Sequence, residues 1–382
     1  MPQTLKTDRI LFGAVVAMAS FGLLMVYSAS SYIAQIGTAE LGPQPSWYYL
    51  IRQLAWAGIA VVAMMTLKKT DYRKLQTPAV AFGALGVSSL LLLLVLFVDT
   101  LHRRWLHIGP IGLQPSEIAK PALVIFVAYF VAWRARAINS AMHTLIPAAV
   151  VVGAVIVAVI VADLGTAVVL AAGALVVFFV AGLEWRYCFI VAGVALVGLV
   201  VSIYVQQYRM GRVCKWLDQF PIVARIDKTG WVKAHAANTK RDTNYQAEQS
   251  EIAVGSGGAV GLGLMNGRQK QLFLPAPHTD FIYAVVGEET GLVGTVALAL
   301  GFGVIFWRGM RAALRVRDDF GRYLALGATV VVVVQALINM SVVLGLGPTK
   351  GIPLPLISYG GSSLLSTMIL MGILMNVAEH AG

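Results

Sequence analysis

The sequence predicts an all-α polytopic membrane protein with about ten transmembrane helices and one long extracytoplasmic loop. Of its 382 residues, 58% are hydrophobic and 12% are charged, and this charged fraction is about half that of a soluble domain. Apolar runs with few or no charges recur along the whole chain, each close to the ~20 residues that one bilayer crossing requires. These runs have no polar face, which the helices of a large soluble core would need.

Ten spans are predicted, with ends placed to within ~2–4 residues. They are 10–33, 48–67, 76–98, 114–133, 144–162, 165–183, 187–207, 281–307, 321–345 and 357–378. Spans five and six are separated only by Asp163-Leu164-Gly165, but their combined length exceeds one crossing. A basic segment precedes the first span, as in a signal peptide, yet the length of the run favours an uncleaved helix. We expect a single membrane domain over 1–382 that contains the long loop 208–280.

The Lys and Arg residues of the short loops set the expected orientation, because cytoplasmic loops are enriched in them. One side carries Lys6, Arg9, Lys68, Lys69, Arg73, Lys74, Arg134, Arg136, Arg186, Arg308, Arg311, Arg315, Arg317 and Arg322. The opposite short loops carry Arg103, Arg104 and Lys350. Both termini are therefore expected in the cytoplasm, and the long loop outside.

The net charge of +11 would suggest a nucleic-acid partner in a soluble protein. Here the basic residues follow membrane topology, and the sequence has no nucleic-acid-binding motif and no P-loop, so no nucleic acid is expected. The two cysteines, Cys188 and Cys214, form no metal-binding spacing. They are expected on opposite sides of the membrane, which argues against a disulfide.

Charged residues at membrane depth are costly, and each is a functional candidate by default. Arg52 lies near the outer end of the second span. Glu117 and Lys120 lie near the outer end of the fourth, three residues apart and so on one helical face. The alternatives are a snorkelling Arg52 and a structural pair in which Glu117 and Lys120 neutralise each other.

Three further candidates lie at the outer ends of spans. Arg103 and Arg104 stand beside Trp105 in the loop before the fourth span. Two guanidinium groups suit a phosphate or pyrophosphate at the interface, although Arg and Trp also serve as plain interfacial anchors. Asp163, at the junction of the fifth and sixth spans, is expected to cap the sixth helix.

The long loop ends in His278-Thr279-Asp280, where the eighth span begins. Asp280 is either a functional carboxylate or an N-cap of that helix. About two turns further on, Glu288 and Glu289 are adjacent carboxylates that need a partner if they are buried. Earlier in the loop, the glycine-rich stretch 255–263 does not match a dinucleotide fingerprint, and it is expected to pack its backbone against a ligand or the membrane surface.

Lys350 lies in a proline-dense stretch between the ninth and tenth spans. Pro348 precedes it, and Pro353 and Pro355 follow it. Prolines at this density predict a rigid, non-helical approach to the tenth span. Irregular backbone at membrane depth is tolerated where it lines a cavity.

Several of these stretches together resemble the SEDS family (shape, elongation, division and sporulation), also called the FtsW/RodA family. The resemblance lies in order, spacing and expected sidedness across nearly the whole chain. It is carried by Arg103-Arg-Trp-Leu, Gln114-Pro-Ser-Glu-Ile-Ala-Lys120, Asp163-Leu-Gly-Thr166, Gln249-Ser250 with the glycine stretch, Leu274-Pro275, His278-Thr-Asp-Phe281, Gly287-Glu-Glu289, Gly351-Ile-Pro-Leu-Pro355 and Ile357-Ser-Tyr-Gly-Gly-Ser-Ser363.

The resemblance implies a peptidoglycan glycosyltransferase that polymerises lipid II into glycan strands at the outer face of the bacterial cytoplasmic membrane. It implies partnership with a class B penicillin-binding transpeptidase and with other divisome or elongasome membrane proteins. Asp280 corresponds to the essential aspartate of the family. Pro348-Thr-Lys-Gly351 and Tyr245-Gln246 are more like the division member than the elongation member. Departures from the family pattern are Ala276, Val161-Ala162 and Leu101-His102.

In the expected reaction, a sugar hydroxyl attacks the anomeric carbon of a polyprenyl-pyrophosphate-linked donor. Asp280 would take the hydroxyl proton, or hold a divalent cation (Mg or Mn) that activates the hydroxyl; no cofactor is otherwise expected. The residues expected to bind the pyrophosphate or headgroup are Arg52, Arg103, Arg104, Glu117, Lys120, Lys350 and His278. Two alternatives stay open: a lipid II flippase, and a non-catalytic scaffold for the transpeptidase.

Overall fold

The computed structural model of the protein describes residues 8–37, 42–99, 104–108, 111–227, 229–237 and 241–381. These residues form α-helices and one short antiparallel hairpin, β1 (Leu106–Ile108) with β2 (Ile111–Leu113). The helices are α1 Arg9–Ile36, α2 Tyr48–Lys69, α3 Pro78–Val98, α4 Pro115–Trp133, α5 Ile146–Ala162, α6 Leu164–Val180, α7 Trp185–Val205, α8 Gln207–Asp218, α9 Pro221–Ile226, α10 Trp231–Ala237, α11 Arg241–Ser256, α12 Ile282–Arg315, α13 Asp319–Val343 and α14 Gly361–His380.

The predicted all-α membrane architecture is confirmed. Within the described part of the chain, nine helical segments are long and apolar enough to cross a membrane, and α6 is a shorter apolar helix. Together they coincide with the ten predicted spans. The main difference is α12, which runs on to Arg315 rather than ending near 307. A helix need not end at the bilayer surface, and Arg308 of this extension pairs with Asp8 at 2.6 Å.

The spans differ greatly in burial. Helices α4, α13 and α14 are buried along most of their length, whereas α7 is almost wholly exposed to the surroundings. Helix α13 packs against α4, α6, α12 and α14, and α14 packs most extensively against α2. The interior of the bundle therefore lies around α13, and one end of these central helices carries the polar side chains described below.

Helix α12 is broken at Gly291, and the glycine-rich stretch 255–263 packs into the break. Gly291 has φ +64°, and a Cβ on it would lie 2.4 Å from the backbone nitrogen of Gly261. Across the break, the Leu292 and Val293 amides donate to carbonyls of this stretch, and Leu262 donates back to the Glu288 carbonyl. These glycines therefore allow backbone to approach backbone at the break. That the stretch also contacts a ligand or the membrane surface stays a prediction.

Glu288 and Glu289 have the partners that their burial requires. Both are 1% exposed. Glu288 accepts from the backbone amides of Arg268 and Gln269 at 2.8 and 3.1 Å. Glu289 pairs with Lys270 Nζ at 2.6 Å and accepts from Ser28 Oγ of α1 at 2.7 Å. The two carboxylates thus fasten the segment that precedes His278 to α1 and α12.

The long outer connection between α7 and α12 is folded in its described residues. It contains α8, α9, α10 and α11, with a small core formed by Met210, Cys214 and Ala236. Both cysteines of the chain are buried with free thiols. Trp216 of α8 donates from its indole nitrogen to the Gly345 carbonyl at 3.0 Å. These contacts hold α8 over the outer ends of the bundle.

The connection between α13 and α14 is non-helical, as the prolines predicted. We call residues 348–360 the proline segment. Two amide side chains of α13 donate hydrogen bonds to carbonyls of the proline segment. Gln335 donates to Pro353 O at 2.8 Å, and Asn339 donates to Ile352 O at 2.6 Å. Ser358 Oγ donates to the Thr279 carbonyl at 2.6 Å. The proline segment and the residues before α12 are therefore joined directly.

The buried Glu289–Lys270 pair gives a prediction about stability. We expect Lys270→Met to destabilise the fold by about 3–5 kcal/mol, because it leaves a buried carboxylate without its cation. The measurement is the thermal unfolding midpoint of the purified protein in detergent. Lys270→Met combined with Glu289→Met should recover part of the loss, and Lys233→Met, at an exposed position on α10, should change little. An unchanged midpoint for the single variant would contradict the pairing.

Candidate active site

Asp280 lies in the short non-helical stretch that precedes α12. Asn339 of α13 donates to its backbone carbonyl at 2.8 Å. Phe281 occupies the N-cap position of α12, and no side chain caps this helix. The alternative reading of Asp280 as a helix cap is therefore not what the structure shows, and its half-buried carboxylate is directed to the proline segment instead.

Gly351 of the proline segment leaves the space that the Asp280 carboxylate occupies. A Cβ added to Gly351 would lie 2.3 Å from Asp280 Oδ2. The backbone of Gly351 does not need a glycine, because its φ is not positive. Residue 351 therefore has to be a glycine because any larger side chain would occupy the space of the Asp280 carboxylate. This carboxylate lies against the backbone of Gly351.

Asp163 brings two cations to the same place. It caps α6, as expected, by accepting from the amides of Gly165 and Thr166. Its Oδ2 lies 3.6 Å from Arg104 Nη2 and its Oδ1 lies 3.7 Å from Lys350 Nζ. Both distances are longer than a good charge-assisted hydrogen bond of ~2.7–2.9 Å. The two cations are attracted to Asp163 but are not fully engaged by it.

Helix α8 of the long loop adds two more cations. Arg212 donates from Nη1 to the Thr349 carbonyl at 3.0 Å, and its charge acts on Asp280. Arg209 donates from Nη2 to the Ile160 carbonyl at 2.8 Å, and its charge acts on Lys350. We call Arg104, Arg209, Arg212 and Lys350, with Asp163 and Asp280, the charge cluster. It holds four cations and two anions and so has an excess of positive charge.

The charge cluster has buried donors that no acceptor satisfies. Among the described residues, Arg104 Nε, Arg212 Nε and Lys350 Nζ have no hydrogen-bond partner. Unsatisfied buried donors are rare in native proteins, and each costs free energy. Donors of this type, gathered around an excess of positive charge, match the oxygens of a phosphate or pyrophosphate.

Burial and neighbouring charges move the pKa values of the cluster. Burial raises the pKa of Asp280, an effect that Arg104 opposes and Asp163 reinforces. Burial lowers the pKa of Lys350 to about 7, although Asp163 favours its charged form. Burial also lowers the pKa of Arg212 to about 10. Asp280 is consequently a better proton acceptor than an exposed aspartate.

His278, two residues before Asp280, belongs to an aromatic group. Its ring centroid lies 4.9 Å from that of Tyr49 and 5.5 Å from that of Tyr359. Burial lowers the pKa of His278 to about 4, so its ring is neutral at physiological pH. Arg52 donates to the Tyr48 hydroxyl at 2.8 Å, and its charge reaches Tyr49 and Tyr359. Arg52 therefore lies with this aromatic group.

Glu117 and Lys120 form an internal pair of α4. Their charged atoms are 2.5 Å apart, and both side chains are almost completely buried. Lys120 Nζ also donates to Gln335 Oε1 at 2.7 Å, and Ser366 Oγ donates to Glu117 at 3.0 Å. Lys120 thus holds Gln335, and Gln335 in turn donates to a carbonyl of the proline segment. Whether it also binds the headgroup, as the family resemblance implied, stays a prediction.

The structure thus brings together Asp280, Lys350 and Arg104 and places His278 and Arg52 beside them, while Arg103 lies outside the described residues. Sequence reasoning missed Arg209, Arg212 and Asn339 as contributors, and it saw Asp163 only as a cap. The two arginines sit in a long loop where many basic residues occur. Arg209 and Arg212 differ from the other basic residues of the loop only because α8 packs against the bundle. No sequence motif predicts that packing.

The sequence model of the family described as "Cell cycle protein", which covers FtsW, RodA and SpoVE, matches residues 8–382. The chain is 37% identical to a probable peptidoglycan glycosyltransferase FtsW of Geobacter metallireducens, over 98% of this chain and 95% of that protein. It is 34% identical to stage V sporulation protein E of Bacillus subtilis, over 98% and 96% of the two chains.

Two solved structures have the same fold. One is the rod shape determining protein RodA of Thermus thermophilus, with a TM-score of 0.66 and 27% identity over 99% of this chain and 98% of that one. The other is a chain of a peptidoglycan synthase complex described for the coordination of polymerization and crosslinking. Its TM-score is 0.72, with 26% identity over 98% of each chain.

The charge cluster should bind inorganic pyrophosphate. At ten times its Kd, the ligand should stabilise the protein by about 1.4 kcal/mol, measured as a rise in the unfolding midpoint over sodium chloride of equal ionic strength. Arg212→Gln and Lys350→Gln should each weaken binding about tenfold, because each removes a charge-assisted hydrogen bond. Lys233→Gln is the matched control on α10. Equal binding by all three variants would show that the anion binds elsewhere.

Proposed function

The chain belongs to the FtsW/RodA/SpoVE family of cell cycle proteins, and from this we propose that it is a peptidoglycan glycosyltransferase that polymerises lipid II into glycan strands. The observation that carries the proposal is the position of the Asp280 carboxylate among the cations of the charge cluster and their unpaired donors. A glycosyl transfer from a pyrophosphate-linked donor needs a base for the nucleophile and cations for the leaving group. Both lie within one site here.

We propose that Asp280 acts as the general base. The acceptor hydroxyl attacks the anomeric carbon, the bond from that carbon to the pyrophosphate oxygen breaks, and Asp280 takes the hydroxyl proton. A base in this role accelerates a reaction by ~10²–10⁴. The raised pKa of Asp280 supports the assignment, since a carboxylate of higher pKa accepts a proton more readily.

Arg104, Arg212 and Lys350 are proposed to hold the departing pyrophosphate, with Arg209 behind them. Their unpaired donors supply the hydrogen bonds on which charge stabilisation depends. Neutral His278 cannot supply charge, so we assign it to contact with a sugar or peptide group of the headgroup. Arg52 lies at the aromatic side, where a second lipid-linked headgroup would approach. Arg103 precedes Arg104 in sequence, and its role in pyrophosphate binding is proposed from the family resemblance alone.

A divalent cation is a further proposal. The described residues contain no group of three His, Cys, Asp or Glu side chains placed to hold a metal ion. Mg²⁺ in phosphate sites is often held by one or two carboxylates together with substrate oxygens. Asp280 would be the protein ligand in such an arrangement, and Mg²⁺ or Mn²⁺ bound there would lower the pKa of the acceptor hydroxyl.

We propose that the protein works in the bacterial cytoplasmic membrane with both termini in the cytoplasm and the charge cluster outside. The distribution of Lys and Arg among the short connections supports this orientation. A class B penicillin-binding transpeptidase is the proposed partner, alongside other divisome or elongasome membrane proteins. The likeness to a chain of a peptidoglycan synthase complex supports it, and the FtsW-named relatives support a role in division.

The first functional prediction concerns Asp280→Asn. The amide keeps the size of the side chain but cannot take a proton usefully, so the purified variant should form no glycan polymer from lipid II on a gel. It should still fold and co-purify with its transpeptidase. A lipid II flippase or a scaffold would tolerate this change. Polymer made at the wild-type rate would remove Asp280 from the mechanism.

A pair of glycine variants tests the placement of the same carboxylate. Gly351→Ala puts a methyl group where Asp280 Oδ2 lies and should reduce the polymerisation rate at least about tenfold, as misplacement of a catalytic group does. Gly347→Ala is the control, because its nearest neighbour would be the Val342 side chain at 4.0 Å. Equal rates for the two variants would show that the carboxylate does not need this position.

The rate should also depend on pH in a defined way. The value of kcat/KM rises as Asp280 loses its proton, through a pKa raised by burial, and falls as Lys350 becomes neutral at about pH 7. Lys350→Arg keeps its charge at higher pH, so the falling limb should move upward by at least about one unit. A pH profile measured with lipid II checks this. An unmoved falling limb would assign it to another group.

A further inference from the structure

A small pocket lies beside the charge cluster, between α8, α11 and residues 345–349. Its volume is about 50 Å³. One water-sized group needs ~10–15 Å³, so the pocket has room for a few non-hydrogen atoms but not for a sugar ring. Its charged lining residues are Arg212 and Lys215 of α8 and Glu248 and Glu251 of α11. We call it the α8–α11 pocket, and of these four residues the proposed reaction uses only Arg212.

The pocket adjoins the place where the Asp280 carboxylate lies. Thr349 lines the pocket, and Gly351, two residues further on, lies against that carboxylate. Two residues of extended chain span at most ~7 Å. Arg212 belongs to both places, because it lines the pocket and its charge acts on Asp280. A substrate that reacts at Asp280 can therefore place a neighbouring group in the pocket.

Hydrogen bonds hold α8 and α11 to the chain that forms the third wall of the pocket. Trp216 of α8 donates to the Gly345 carbonyl at 3.0 Å, and Ser250 of α11 donates to the Val343 carbonyl at 3.2 Å. A Cβ on Gly345 would lie 2.2 Å from Glu251 Oε1, so the Glu251 carboxylate lies against backbone at this point. The pocket is thus formed before a ligand enters, which lowers the ordering cost of binding.

The pocket presents charges of both signs that do not neutralise one another. Glu248 and Glu251 lie three residues apart and so on one face of α11, and Lys215 lies on α8. Within the described part of the chain, none of these three side chains takes part in an ion pair. Both glutamates are exposed, so a ligand can reach them from solvent. A ligand that matches the pocket has an ammonium group for the glutamates and a carboxylate for Lys215.

We propose that the α8–α11 pocket binds the end of a peptide side chain that carries both an ammonium and a carboxylate group. This rests on the proposed function, because the headgroup of lipid II carries a peptide. One residue of that peptide is either diaminopimelate, whose side chain ends in both groups, or lysine, whose side chain ends in the ammonium alone. Glu248 and Glu251 bind the ammonium of either form, and Lys215 binds the carboxylate of the diaminopimelate form. The pocket therefore selects the diaminopimelate form of the substrate.

The test compares the diaminopimelate and lysine forms of lipid II as substrates of the full-length protein in detergent. KM should be about fivefold lower for the diaminopimelate form, a modest factor because exposed charges stay partly hydrated. The value of kcat should be similar for the two forms, because a contact made equally in the ground and transition states changes KM alone. Equal KM values for the two forms would overturn the proposal.

Two variants separate the roles of the opposite charges. Lys215→Gln should raise KM for the diaminopimelate form about fivefold and leave the lysine form unchanged, since only the first has the second carboxylate. Glu251→Gln should raise KM for both forms by the same factor. The matched controls are Lys233→Gln on α10 and Asp218→Asn at the end of α8, both at exposed positions outside the pocket. Discrimination that survives Lys215→Gln would contradict the assignment.

A modified substrate gives the same test without a variant. When the side-chain carboxylate of diaminopimelate is converted to an amide, the wild-type protein should treat this lipid II as it treats the lysine form. Binding of the two natural forms to Asp280→Asn protein, measured without turnover, separates the pocket from the reaction. Preferential binding of the diaminopimelate form by a protein that makes no polymer would contradict the proposed reaction and leave the pocket. Polymer made from both forms with equal KM would do the reverse.

Discussion

The candidate active site depends on two amide side chains of α13. Backbone without a hydrogen-bond partner is not tolerated in the hydrocarbon region, yet the proline segment is non-helical where it meets the bundle. Gln335 and Asn339, one helical turn apart, donate to the carbonyls of Pro353 and Ile352. Asn339 also donates to the Asp280 carbonyl. One amide group therefore fixes the distance between the proline segment and the candidate base, and with it the contact between Gly351 and the Asp280 carboxylate.

This arrangement explains why charged residues occur in two layers. The deeper layer, Glu117 with Lys120, is almost fully buried and orients Gln335. Breaking a buried pair is far more costly than keeping it, so the deeper layer acts as a support. The upper layer is the charge cluster, in which cations exceed anions and donors lack partners. The upper layer holds the unpaired donors that suit an anionic ligand, whereas headgroup binding by Glu117 and Lys120 stays a prediction.

The membrane spans could be predicted from the sequence because each span is encoded by a continuous apolar run of residues. Apolar runs separated by basic loops predicted all ten, and the prolines predicted the irregular approach to α14. Candidate residues that carry a motif, such as Asp280, were also identified. Long-range placement was not predictable: nothing local shows that α8 brings Arg212 close to Asp280 and Arg209 close to Lys350. The break at Gly291 was likewise missed, because it is caused by the approach of a glycine-rich stretch about thirty residues away in the sequence.

In the role proposed for it, Asp280 has to meet two opposing requirements of a base. A carboxylate deep in the bilayer would be protonated and could not accept a proton, whereas a fully solvated one would be a weak base. Asp280 is half-buried on a short non-helical stretch, where burial raises its pKa and the charges of Arg104 and Arg212 oppose that rise. Those same cations are the ones that would bind the leaving group. In the proposed reaction, pyrophosphate bound to Arg104 and Arg212 would offset their charge, and Asp280 would then be a stronger base while the substrate is in place.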